Sequence, residues 1–148
     1  MRFFQEIIQN RVLLVAVLSW FSAQALKVVF YYIIERKWNF GRFWGLGGMP
    51  SSHSSVVCGL AASIGITSGF YSAEFAISLV LAAVVMTDAA GVRRAAGKQA
   101  AVINKIVQDM IANGSWLSHE SLKELLGHSP FEVLVGALLG ILIGLIVT

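Results

Sequence analysis

VLLVAVLSWFSAQALKVVFYYII, residues 12–34, contains one charged residue, Lys27, and is long enough to cross a membrane as a helix. The hydrocarbon core of a bilayer is about 30 Å thick, and a helix that crosses it needs roughly 17 to 25 apolar residues. A cleaved signal peptide is the alternative, because Ala23-Gln24-Ala25 has the small residues of a cleavage site. The acidic Glu6 and the continuation of the apolar run to Ile34 favour an uncleaved helix.

Three further apolar stretches follow: Ser54–Phe70, Ala73–Ala90 and Phe131–Val147. The first and last are short, so one of them can enter the bilayer without crossing it. The composition agrees, since 57% of the residues are hydrophobic and only 13% are charged, against about a quarter charged in a soluble domain. We therefore predict an all-α, polytopic membrane helix bundle with about four transmembrane helices, forming one domain over residues 1–148.

The composition also excludes several classes of function. The single cysteine, Cys58, excludes an intramolecular disulfide framework and a cysteine-cluster metal site. The net charge of +3 is small, and the basic residues do not form the dense patch that nucleic-acid binding needs. We therefore expect no nucleic-acid partner.

The segment between the third and fourth apolar stretches is too polar to cross the bilayer. Apolar residues recur at three- and four-residue steps from Val102 to Ile111, which predicts an amphipathic helix. Ser121 and Glu124 have the spacing of a capping box, which predicts a second, short helix. These interfacial helices are expected to lie on the membrane surface or to cover a site from outside the bilayer.

The distribution of basic residues predicts an orientation. With four crossings, the stretches 35–53 and 89–130 share one side of the membrane. Most basic residues lie on that side: Arg36, Lys37, Arg42, Arg93, Arg94, Lys98, Lys105 and Lys123. The positive-inside rule places this side in the cytoplasm and both termini outside.

The first cluster of candidate functional residues is Pro50-Ser51-Ser52-His53, at the start of the second apolar stretch. Proline suits the first turn of a helix, where free backbone N–H groups and serine hydroxyls can bind an anion such as phosphate. His53 adds a group that exchanges a proton near neutral pH. A capped helix start beside an uninvolved histidine is the alternative interpretation.

The second cluster is Asp88, Arg93 and Arg94, at the end of the third apolar stretch. Adjacent arginines can bind phosphate oxygens in bidentate fashion. Arginines are also common at a membrane boundary. An internal ion pair between Asp88 and an arginine is the other simple explanation.

The third cluster is His128 and Glu132, at the start of the fourth apolar stretch. Residues four apart share one face of a helix, so the carboxylate can fix the tautomer of the imidazole. Helix capping by Glu132 is the alternative. Lys27 is the remaining charge within an apolar stretch, and it either extends towards the interface or points inward towards an anion.

These clusters resemble a known superfamily. Pro50-Ser51-Ser52-His53 is similar to the Pro-Ser-Gly-His motif of the type 2 phosphatidic acid phosphatases, relatives of the vanadium haloperoxidases. His128-Ser-Pro-Phe-Glu132-Val133, followed by spaced glycines, resembles the last motif of that superfamily. From about Gln24 to Gly140, the chain looks like the small divergent branch of the superfamily.

The resemblance implies a role for each candidate residue. His128 would attack phosphorus and form a phosphohistidine, Glu132 would orient it, and His53 would protonate the leaving oxygen. The residues implied to bind substrate phosphate are Lys27, Arg42, Ser51, Ser52, Asp88, Arg93 and Arg94. It implies no metal and no other cofactor, because basic side chains neutralise the phosphoryl charge.

We therefore expect an integral membrane lipid phosphatase acting on a phosphate ester or pyrophosphate of a lipid, in a bacterial plasma membrane with the site at the cytoplasmic face. A non-catalytic binder or transporter of anionic lipid is the main alternative. A metal-dependent hydrolase and a serine hydrolase are weaker, since His-Glu-x-x-His and Gly-x-Ser-x-Gly are both missing. Gly136, Gly140 and Gly144 form a small-residue ridge suited to a homodimer or to packing within one chain.

Overall fold

A computed structural model of the chain describes residues 2–44, 48–112 and 128–148. The regular structure in these ranges is helical, which confirms the predicted all-α class. The helices are α1 (Arg2–Ile8), α2 (Arg11–Glu35), a short 3-10 helix (Phe40–Trp44), α3 (Ser52–Ser68), α4 (Ala73–Ala90), α5 (Val92–Ala112) and α6 (Pro130–Val147).

Three helical segments in the described ranges are long and apolar enough to cross a membrane: Arg11–Glu35, Ala73–Met110 and Pro130–Val147. The sequence predicted about four, and α3 is the difference. It has 17 residues, which gives a length of about 25 Å at 1.5 Å per residue, at the lower limit for a helix that crosses the bilayer. α3 is therefore one of the two stretches whose shortness suggested entry into the bilayer without a full crossing.

Local capping determines where these helices begin and end. Asn10 caps α2 by accepting a hydrogen bond from the backbone N–H of Leu13 at 3.0 Å. α2 ends at Arg36, whose backbone is left-handed with φ of 55° and whose N–H donates to the carbonyl of Tyr32. Gly69, with φ of 89°, follows α3 and separates it from α4. Each boundary is thus encoded by residues within a few positions of it.

The chain doubles back along α2 before α3 begins. Trp38 stacks on Tyr32 with ring centroids 4.2 Å apart, and Phe43 meets Trp20 and Phe21 at 5.7 and 5.4 Å. The contacts thus move from the end of α2 towards its middle. As a result, α3 starts beside the middle of α2 rather than level with its end.

α3 lies at the centre of the fold and packs against α2, α4 and α6. Its closest neighbour is α6, because Gly136, Gly140 and Gly144 of α6 are all buried against it. A Cβ atom added at Gly140 would collide with the carbonyl oxygen of Ser55 and lie 2.8 Å from the amide of Gly59. The glycine ridge thus serves packing within one chain, and a homodimer, which stays a prediction, needs another face.

The amphipathic helix predicted between the third and fourth apolar stretches is α5. Asn104 is buried, whereas the apolar side chains of Val102, Ile103, Ile106 and Met110 are exposed. This exposed apolar face agrees with a helix at the membrane interface. The second predicted helix, around Ser121 and Glu124, lies outside the described residues.

Candidate active site

The start of α6 brings together Glu132 of its first turn and His128, which lies two residues before the helix begins. Ser129 caps the helix, and its Oγ accepts the backbone N–H of Glu132 at 3.3 Å. In return, Glu132 Oε2 accepts the backbone N–H of Ser129 at 3.1 Å, which completes a capping box. The same oxygen lies 3.0 Å from Nδ1 of His128. One side chain of Glu132 therefore makes both predicted contacts: it caps the helix and it bonds to the imidazole of His128.

His128 is held by the burial of its side chain and by two hydrogen bonds, one from its backbone and one from its ring. Its side chain is 1% exposed, and its backbone N–H donates to the carbonyl of Ala89 at 3.2 Å. A carboxylate is only an acceptor, so Nδ1 carries a proton when it bonds to ionised Glu132. Nε2 is then the nitrogen with a free lone pair, and it is buried without a hydrogen-bond partner among the described residues. A buried lone pair of this kind is suited to attack an electrophile.

The first turn of α3 is tied directly to that of α6. Ser51, fully buried at the N-cap of α3, donates its backbone N–H to the carbonyl of Glu132 at 3.0 Å. Its Oγ accepts from the backbone N–H of Ser54 at 3.3 Å and from the hydroxyl of Ser54 at 3.0 Å. Ser51 thus caps the helix, as the simpler interpretation held.

This tie brings the two histidines of the predicted site together. The ring centroids of His53 and His128 are 6.2 Å apart, with the rings inclined at 62°. A nucleophile lies about 3 Å from the atom it attacks before reaction, and an acid lies about 3 Å from the atom it protonates. The two imidazoles are therefore near neighbours at the joined starts of α3 and α6.

Lys27 points into the protein rather than towards the interface. The residue is 4% exposed, and Nζ donates to Oγ of Ser52 at 3.2 Å. Glu132 also attracts it electrostatically. Lys27 lies eight residues before Glu35, the last residue of α2. The backbone of Lys27 is therefore about 12 Å from that end along the helix axis, at 1.5 Å per residue.

A cavity of about 290 Å³ adjoins His53. Its lining residues are His53 and four residues of α4: Val84, Val85, Asp88 and Ala89. The sequence placed Asp88 among the phosphate ligands, but a carboxylate repels the anion it would bind. Asp88 instead lines the cavity together with His53 and the apolar residues of α4.

The predicted arginine ligands are placed only by their backbone. Arg42 lies in the 3-10 helix, and Arg93 and Arg94 lie in the first turn of α5. Their side chains are outside the described part of the structure. The hydrogen bond from His128 to Ala89 brings the end of α4 back to the site, so the start of α5 is a few residues from it.

Two groups in the site were not predicted from the sequence. Capping by Glu132 was an alternative, but Ser129 as its partner in a capping box was not named, although the Ser-x-x-Glu spacing indicates it. The carbonyl of Ala89, which accepts the backbone N–H of His128, carries no sequence signal, because any residue supplies a carbonyl. Within residues 2–44, 48–112 and 128–148, no group of three or more His, Cys, Asp or Glu side chains is placed to hold a metal ion.

The chain is an apolar helical bundle in which two helix starts present a pair of histidines and a carboxylate beside the buried lysine of α2. This arrangement is that of a phosphatase-like membrane protein. The profile of the family described as "Divergent PAP2 family" matches residues 8–143, and the chain belongs to this family. This confirms the resemblance inferred from the motifs.

A relative is known from Bacillus subtilis (strain 168). This protein is described as "Uncharacterized membrane protein YuiD", and it is 40% identical over 151 residues, which cover 95% of this chain and 96% of the relative. No solved structure matches the chain.

Proposed function

We propose that this protein hydrolyses the phosphate ester of a phosphorylated lipid through a phosphohistidine intermediate. One observation supports the proposal above the others: His128 has Nδ1 held by Glu132 at 3.0 Å and Nε2 buried without a hydrogen-bond partner among the described residues. A helix cap alone does not require a histidine in this arrangement. A nucleophilic histidine does, because the group that orients it must be within hydrogen-bond reach.

The reaction proceeds in two steps. His128 Nε2 attacks phosphorus, an N–P bond forms, and the P–O bond to the lipid breaks as His53 gives its proton to the leaving oxygen. A water molecule then attacks the phosphohistidine, with His53 taking a proton from that water. The N–P bond breaks, inorganic phosphate leaves, and both histidines return to their starting states.

Charge on the phosphoryl oxygens is balanced by groups fixed before the substrate arrives. Lys27 and Ser52 form a hydrogen-bonded pair at the start of α3. Such preorganised donors stabilise developing charge more strongly in a water-poor site than they would in solution. Arg42, Arg93 and Arg94 are the further cations that we propose for the phosphate.

The proposed setting is the cytoplasmic face of a bacterial plasma membrane. The stretches 35–53 and 89–130 both adjoin the site, because Ser51, Ala89 and His128 meet there. Their concentration of basic residues supports the orientation. A bacterial relative described as a membrane protein supports the membrane. A site beside Lys27, whose backbone is about 12 Å from the end of α2, favours a substrate held in the bilayer over a soluble phosphate ester.

The test is phosphate release by purified protein in detergent, with EDTA present, from a panel of phosphorylated lipids. Rapid acid-free quenching with a radiolabelled phosphate donor should trap label on His128, identified by peptide mapping. Release that stops with EDTA would replace this proposal with a metal-dependent hydrolase. Lipid binding without release would make the protein a binder or transporter.

Replacing Glu132 with glutamine is expected to lower kcat by about 100-fold or more while changing KM little. The neutral amide cannot stabilise the charged imidazole that forms during reaction. Steady-state kinetics on the best lipid of the panel measures the effect. Ser129→Ala is the matched control, because it removes the other half of the capping box: it should lower Tm and keep most of kcat. Equal kcat losses in the two variants would leave Glu132 with a structural role only.

Replacing Lys27 with methionine is expected to weaken phosphate binding about tenfold or more, since a hydrogen bond to a charged group contributes about 1.5–3 kcal/mol. Tm is expected to fall as well, because the change removes the buried cation that faces Glu132 and the donor to Ser52, and leaves both groups without it. Inhibition by inorganic phosphate and thermal unfolding measure the two effects. Lys37→Met, at an exposed position after α2, should change neither. An unchanged inhibition constant in Lys27→Met would remove Lys27 from the phosphate site.

A further inference from the structure

The cavity beside His53 lies on one side of the proposed reaction centre. Among the residues that the structure describes, its lining consists of His53 and four residues of α4. In the proposed reaction, phosphorus lies between His128 and His53, and the leaving oxygen lies next to His53. The group attached to that oxygen therefore extends past His53, which lines this cavity together with Asp88.

The volume and walls of the cavity suit a small polar group. Ligand pockets span about 300 to 1,000 Å³, and this one is at the lower limit with about 290 Å³. It can receive the part of a lipid next to the phosphate, but not the acyl chains. Val84, Val85 and Ala89 make its walls apolar, and Asp88 is the acidic group on them.

A carboxylate on such a wall selects for hydrogen-bond donors. An ionised carboxylate has about four lone-pair sites, so Asp88 can accept a hydrogen bond from a ligand in addition to its interactions within the protein. A hydroxyl on the leaving alcohol provides that donor. A leaving group that is itself a phosphate brings a second negative charge towards Asp88, and is therefore disfavoured.

We propose that Asp88 recognises the leaving group, and that the substrate is a phosphate monoester of a lipid alcohol with a free hydroxyl close to the ester oxygen. This inference rests on the proposed function. During the reaction the P–O bond to that alcohol breaks and its oxygen takes the proton of His53, while the neighbouring hydroxyl keeps its own proton and donates to Asp88. Lipid diphosphates, and monoesters without such a hydroxyl, are the poorer substrates.

The test compares two lipids that differ in one donor: 1-acylglycerol 3-phosphate and its 2-O-methyl analogue. The protein in detergent should hydrolyse the first with a kcat/KM about tenfold higher or more, the size of effect expected for one hydrogen bond to a charged group. In Asp88→Ala the ratio should fall to about one. Asp88→Asn, which retains an acceptor without the charge, should give an intermediate ratio.

Hydrolysis of a polyprenyl diphosphate tests the charge of Asp88 separately from the stability of the fold, because a damaged fold would not raise the rate on one substrate relative to another. Its hydrolysis relative to 1-acylglycerol 3-phosphate should rise several-fold in Asp88→Asn, because the variant removes a repulsive charge. Thr87→Ala, at an exposed position on α4, should leave both ratios unchanged.

The outcomes separate the two proposals. Hydrolysis of both glycerol lipids at equal rates by the unmodified protein, or an equal loss on all substrates in the Asp88 variants, overturns the role of Asp88 and leaves the phosphatase standing. Failure to hydrolyse any of the three lipids, by protein that still unfolds cooperatively, counts against the phosphatase itself and the inference with it.

Discussion

Replacing His128 with asparagine is expected to reduce phosphate release by about 1,000-fold or more, because the variant lacks the atom that bonds to phosphorus. Asparagine is the informative choice, since its amide can still donate a hydrogen bond to Glu132 from near the position of Nδ1. The oriented carboxylate, the capping box and the link between α3 and α6 are then preserved. Initial rates on the best lipid substrate measure the effect.

The same variant should still bind phosphate. Lys27 and Ser52 are unchanged in it, so displacement of a fluorescent lipid by inorganic phosphate should give a dissociation constant within a few-fold of that of the unmodified protein. Phosphohistidine should no longer be trapped. Activity that survives in His128→Asn, within about tenfold of the starting rate, would rule out this residue as the nucleophile.

Replacing Gly140 with alanine is expected to destabilise the protein by about 1–3 kcal/mol or more, the range for overpacking a core. The added Cβ would collide with the carbonyl of Ser55 and lie 2.8 Å from the amide of Gly59. Both are backbone groups of α3, so no side chain can rotate away, and the two helices must separate. Thermal unfolding in detergent measures the loss.

Phosphate release should fall with stability in this variant, because the start of α3 carries His53 and the start of α6 follows His128. Leu138→Ala is the control on the same helix: Leu138 is 59% exposed, so its truncation should have little effect on either property. A Gly140→Ala variant that is as stable as the unmodified protein would show that α3 and α6 lie further apart than described.

The sequence was a good guide wherever the signal was local. The apolar lengths located α2, α4 and α6, the heptad-like spacing from Val102 located the amphipathic α5, and the four-residue interval predicted the contact of His128 with Glu132. These features depend on periodicity and on caps within one turn, which a single sequence contains.

The contacts that bring the residues of the site together were harder to predict from the sequence. Nothing in the order of the motifs shows that Ser51 would donate to the carbonyl of Glu132, or that Ala89 would accept from His128. Backbone groups make both contacts, and such groups are identical along the chain. The starting level of α3 depends on the contacts of Trp38 and Phe43 with α2, and such tertiary contacts have no local signal in the sequence.

The joined starts of α3 and α6 have an electrostatic consequence of their own. Each α-helix carries a macrodipole equivalent to roughly half a positive charge at its N-terminus. Ser51 and Glu132 hold two such ends side by side, so they add about one positive charge to the site in surroundings where salt screens little. The peptide backbone thus supplies part of the attraction for phosphate, and no side-chain substitution removes that part while the two helices stay joined.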